Sequence, residues 1–198
     1  MNTNRRKDAL RQMRSWKRVM YTGLLLSALL FAISACGGAS QSSNPAADAA
    51  SKGSPPPGVQ TFGTLSRDHT ELPVTYSQTP PVGEPHSPVW QNCGFYDKPI
   101  GNEHGVHSME HGAVWITYRP DLPTDQVAIL KKEAQQTYVL MSPYPNLPAP
   151  VLASAWSTQL KLDSATDPRL DQLVKYYREG LQTQEPGAPC TGGTSTTQ

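Results

Sequence analysis

Apolar residues are unevenly spread along the 198-residue chain, and their spacing marks out its elements. From Ala113 to Tyr118, Val114, Ile116 and Tyr118 alternate with Ala113, Trp115 and Thr117. This β-branched and aromatic run predicts a strand. A helix is expected next. Thr124 is a suitable N-cap, Asp125 suits the first turn, and Val127, Leu130, Ala134 and Tyr138 fall on one face. Tyr138 to Met141 reads as a second strand, Pro143 to Pro150 as a turn-rich loop, and Val151 to Trp156 as a third strand with a weaker Ala/Ser pattern. The last helix is the best marked. Asp167 caps it, Pro168 takes its first position, Leu170, Leu173, Val174 and Tyr177 form its buried stripe, and Gly180 ends it. The order β-α-β-β-α predicts an α+β fold, a small sheet with about two helices on one face. Before it, from Val59 to Gly105, prolines recur and only Leu72 to Tyr76 suggests a strand. That stretch reads as a long, ordered, proline-rich loop, and such loops are more often functional than idle.

The two ends have a different composition. Arg5, Arg6, Lys7, Arg11, Arg14, Lys17 and Arg18 precede an apolar run, Tyr21 to Ile33, of signal-peptide length and too short for an ordinary spanning helix. Ile33-Ser34-Ala35-Cys36 then looks like a bacterial lipobox, with Cys36 as the lipidated residue; an uncleaved N-terminal anchor is the competing reading. Residues 1–35 are thus expected to be a signal peptide. Residues 36–58, rich in Gly, Ala, Ser and Pro, read as a lipidated, flexible tether. Residues 59–185 form a single domain, and 186–198 a flexible tail. The acyl chains of Cys36 would hold the domain at a membrane, outside the cytoplasm.

Removing the signal changes the charge. Seven of the 17 basic residues and one of the 16 acidic residues lie in it, so the formal +1 becomes −5. No basic stripe remains, which argues against a nucleic-acid partner. With Cys36 lipidated, Cys93 and Cys190 are an even pair in an oxidising compartment. A bridge across a loop of roughly a hundred residues would contribute up to about 4–5 kcal/mol in the chain-entropy model. Two thiols acting as soft metal ligands are the alternative.

All five histidines, His69, His86, His104, His107 and His111, lie in one stretch, and histidine is the commonest protein metal ligand. The specific element is His107-Ser108-Met109-Glu110-His111-Gly112. On a helical turn His107 and His111 share a face and can grip one ion. In an extended segment they stand about 13 Å apart and cannot. Gly112 and the strand behind it suggest a helix of a single turn. Either the pair converges there, or one of them joins His69 or His86. Met109 is a thioether ligand favouring copper, or a core filler. Glu110 is a ligand, or a partner that orients a histidine. H-x-x-E-H also occurs in one class of zinc peptidases, with the glutamate as base, but there it needs a long helix and a distant third ligand. Trp90, Tyr96 and Trp115 read as core and pocket wall. The plain alternative for the whole cluster is a set of buried, hydrogen-bonded histidines.

Pro80-Pro81-x-x-x-Pro85-His86, Gly94-Phe95-Tyr96, the block from Val106 to Val114, and Ala155-Trp156 resemble the bacterial domain-of-unknown-function 3105 family, over roughly His69 to Glu185. The resemblance implies a secreted or membrane-anchored protein and special roles for His69, His86, His107, Glu110 and His111; it implies no activity. Met109 stands where leucine is usual, Gly83-Glu84 where Ser-Gly is usual, and Ser157 where glycine usually follows Ala-Trp. Three functions follow as expectations. The first is a membrane-tethered site for copper or zinc built from two or three of His69, His86, His107 and His111. The second is a metal-free cell-envelope binding module with structural histidines. The third is a small metal-dependent hydrolase with Glu110 as base. There is no convincing Ser-His-Asp set, nucleotide loop or haem motif.

Overall fold

The computed structural model describes residues 52–198. The expected signal peptide, Cys36 and most of the expected tether lie outside the described residues. Nine elements follow in chain order: β1 (Gln60–Thr61), β2 (Gly94–Phe95), α1 (Asn102–Glu110), β3 (Val114–Tyr118), α2 (Thr124–Glu133), β4 (Val139–Pro143), β5 (Val151–Ala155), β6 (Thr158–Leu162) and α3 (Arg169–Tyr177). They build a six-stranded mixed sheet in the order β1-β6-β5-β3-β4-β2. β3 pairs parallel with β4, as a strand joined to its neighbour through a crossover helix must, and antiparallel with β5. The class is the α+β fold expected. Among the described residues no helix is long and apolar enough to cross a membrane.

Alternation along β3 divides the interior into two. Val114, Ile116 and Tyr118 join Leu130 of α2 and Leu170, Leu173, Val174 and Tyr177 of α3 in the larger apolar cluster. Trp115 points the other way, into a smaller cluster with Leu140, Trp156 and Val106 and Met109 of α1. Two helices therefore share one face, as expected, and a third covers the other. α1 runs for nine residues, not one turn. It begins at Asn102, upstream of the histidine block, and its entry residue Gly101 makes no side-chain cap, so no start signal marks it. Gly105 lets it lie close to the sheet, since a Cβ there would sit 2.7 Å from the Trp115 ring. Gly112 stops it with φ +106, where a Cβ would also meet the Glu179 backbone at 3.0 Å.

Other differences have local causes. Residues 72–76 form no strand; Leu72 is exposed, and the Val74 N–H donates to Glu103 Oε1 at 3.3 Å instead of to a neighbouring strand. Tyr138 belongs neither to α2 nor to β4: it turns the chain with φ 56, and its hydroxyl donates to the Ala188 carbonyl. β6 was not anticipated. It pairs with β5 from Ala155↔Thr158 to Val151↔Leu162 across a two-residue turn, Trp156-Ser157. Ser157 takes φ 59 there, a left-handed conformation that favours the glycine usual at this position.

The C-terminal segment, read from its composition as a flexible tail, is hydrogen-bonded to the domain. Cys93 and Cys190 form a disulfide at a sequence separation of 97. The Cys93 N–H donates to Cys190 O, Asn92 N–H to Thr194 O, and Thr194 N–H to Trp90 O, all within 2.9 Å. Backbone groups make these bonds, so the segment needs no apolar side chains, which is why composition gave no hint of them.

Candidate metal site

α1 supplies one half of the site. His107, Glu110 and His111 are spaced i, i+3, i+4 and share a face of the helix, while Met109 falls on the opposite side. Met109 is fully buried in the smaller apolar cluster, so it is core and not a ligand. The preceding loop supplies the other half. His69 and His86 face each other in an isolated parallel bridge, in which Thr70 N–H donates to His86 O and His86 N–H to Asp68 O. Ser108 Oγ ties the helix to this region by donating to Gln91 O at 2.7 Å.

The C-terminal segment satisfies the end of α1. Thr183 Oγ1 donates to the carbonyls of Met109 and Glu110, Glu185 N–H to Glu110 O, and Gly187 N–H to His111 O. The helix end that carries the histidines is thereby fixed through its last carbonyls, of which Met109 O also accepts the Gly112 N–H.

The imidazoles interlock. The His69 and His107 rings stack with centroids 4.8 Å apart, and His86 stands edge-on to both at 4.9 and 5.1 Å. Glu110 Oε2 lies 2.9 Å from His86 Nε2 and 3.3 Å from His69 Nε2. One donor atom from each of His69, His86, His107 and Glu110 falls within 4.8 Å of the others, a group that can hold a metal ion. His104 stands apart, its Nδ1 bonded to Val89 O. His111 is not one of the four; its Nε2 is 2.9 Å from His107 Nε2.

The far side of each ring decides what the near side offers. Nδ1 donates to Glu84 O in His86, to Ser87 O in His107 and to Pro189 O in His111, at 2.8, 2.6 and 2.6 Å. A carbonyl only accepts, so in all three rings Nδ1 carries a proton and Nε2 is the atom left facing inward. Ligand histidines are oriented in this way, by a hydrogen bond from the second nitrogen. Charge states agree. Burial pushes the His107 pKa down to about 4, against the pull of the Ser87 hydrogen bond and with further repulsion from His111, His86 and His69. Burial works to raise the Glu110 pKa, but hydrogen bonds and attraction from His86, then His69, prevail and hold it below its ordinary value. At neutral pH one is a free base and the other an anion. His86, His107 and Glu110 are buried, while the His69 side chain is 43% exposed and forms the outer wall.

Two contributions had no signal in the sequence. The carbonyls of Glu84, Ser87 and Pro189 act through the backbone. Glu185, whose Oε2 lies 3.5 Å from His111 Nε2, reaches the site only through the path of the C-terminal segment.

Fold and site together define an α+β domain with a cluster of three histidines and a carboxylate, buried except for His69. Residues 69–192 match the family described as Protein of unknown function (DUF3105), and the chain belongs to it. The match takes in every clustered histidine, Glu110 and both disulfide cysteines. No curated protein and no solved structure gives a significant match.

Proposed function

We propose that this domain is a metal-binding module, held outside the cytoplasm at a bacterial membrane by a lipid on Cys36, with zinc or copper carried by His69, His86, His107 and Glu110. The observation that carries this reading is the convergence of the four donor atoms within 4.8 Å. Fixed tautomers support it, since His86 and His107 both spend their Nδ1 protons on carbonyls. Three imidazole nitrogens and a carboxylate oxygen suit Zn(II) or Cu(II). With Met109 in the core, the argument for Cu(I) loses its soft ligand. A set of four protein donors resembles a site that holds an ion; hydrolytic sites keep a position open for water. Contact of Glu110 with two histidines also favours a ligand over a free general base.

The full chain, stripped of metal and dialysed against limiting Zn(II) or Cu(II), is expected to retain the ion stoichiometrically by plasma mass spectrometry. His86→Ala combined with Glu110→Gln is expected to abolish retention. No tight binding of either ion, or binding unchanged in the double variant, would leave the metal-free envelope-binding module as the better reading.

A further inference from the structure

His107 and His111 pose a problem that the four-donor group does not solve. Their Nε2 atoms face each other at 2.9 Å, and both rings have Nδ1 committed to carbonyl oxygens, of Ser87 and Pro189. Without a proton between them, both nitrogens present lone pairs to one another. A third acceptor joins them, since Glu185 Oε2 lies 3.5 Å from His111 Nε2. His107 Nε2 and Glu185 Oε2, both gathered about His111 Nε2, make with it a place for a cation.

The same composition occurs next door, where Glu110 Oε2 sits against His69 Nε2 and His86 Nε2. The site therefore contains two sets, each of two histidines and one carboxylate, joined by the stack of His69 on His107. We propose that the site takes two divalent cations, one on His69, His86 and Glu110 and a second on His107, His111 and Glu185. This rests on the metal-binding reading above. A single imidazole lone pair serves one ion. His107 belongs to the first group as well, so it assists the first ion when that ion is alone. Filling the second position draws it to His111 and Glu185.

Each set has one exposed ligand, His69 at 43% and Glu185 at 53% of the side chain, so the second set can be altered from the surface. The test is native mass spectrometry and calorimetric titration of the full chain with Zn(II) alone, beside Glu185→Gln and His111→Ala. Two zinc ions are expected on the wild type. Each variant is expected to keep one tightly and to bind the second at least tenfold more weakly. Glu185→Gln carries the test if the His111 variant fails to fold. One zinc on the wild type, unaltered by Glu185→Gln, overturns the second position and leaves the single-ion reading standing. Two zinc ions with unchanged affinities in Glu185→Gln overturn the assignment of ligands. A wild type that binds none overturns both readings.

Discussion

α3 and α1 lie on opposite faces of one sheet, and they differ in nearly every property that makes a helix readable. α3 has a proline entry, an Asp167 that accepts the Arg169 N–H at 2.9 Å, and a buried stripe of Leu170, Leu173, Val174 and Tyr177. α1 has no side-chain cap, buries only Val106 and Met109 as large apolar groups, and hides His107, Ser108 and Glu110 as well. One helix is held by the apolar area it covers. The other is held by its neighbours: Gly105 against Trp115, Ser108 on the loop, and the C-terminal segment on its last carbonyls. The comparison teaches that a helix which carries chemistry inward gives up the pattern that would announce it.

Three changes bear on this contrast. Leu173→Ala, at a fully buried position of α3, is expected to cost about 2–5 kcal/mol, while metal stoichiometry in the folded fraction stays unchanged. Urea unfolding monitored alongside metal content checks both halves. Gly105→Ala pushes a methyl toward the Trp115 ring and is expected to cost about 1–3 kcal/mol. Unlike the α3 change, it should also weaken metal binding, because α1 moves as a unit with its histidines. A full loss of stability with unaltered affinity would break the link between the close approach and the site.

The third change is pH. In metal-free protein the His107 pKa is lowered from 6.5 to about 4, so the unfolded chain binds a proton that the native site refuses between those values. Stability is therefore expected to fall as pH drops through that window, by on the order of 1–3 kcal/mol, and to lose no more from His107 below it. Glu110 acts in the same direction: its depressed pKa gives stability that is lost as pH falls through the folded value. Melting curves of the chelated protein and of His107→Gln should separate the two, with the variant showing the shallower slope.

Much of the apolar face was readable because its residues answer to one rule. β3 alternates, and α3 repeats at the helical period between recognisable ends. β6 escaped because Thr158-Gln159-Leu160-Lys161-Leu162 mixes buried polar residues with apolar ones and follows a turn made by serine where glycine is usual. Confinement of the histidines identified three members of the four-donor group, and the family resemblance pointed to His69, His86, His107 and Glu110 together with His111, which is not one of the four. Their geometry was not readable, because a parallel bridge between His69 and His86 joins positions that no local period connects. Glu185 stayed hidden for a stronger reason: its place depends on where a segment anchored by Cys190 runs.

The hydrogen bond from His111 to Pro189 also has a consequence in time. The donors of the four-membered group are all made by the time residue 110 is synthesised, but the carbonyl that turns His111 follows it by 78 residues, one residue before the cysteine that pairs with Cys93. A nascent chain therefore holds the ligands long before it holds the brace that aims His111. The finished arrangement belongs only to the completed, cross-linked protein.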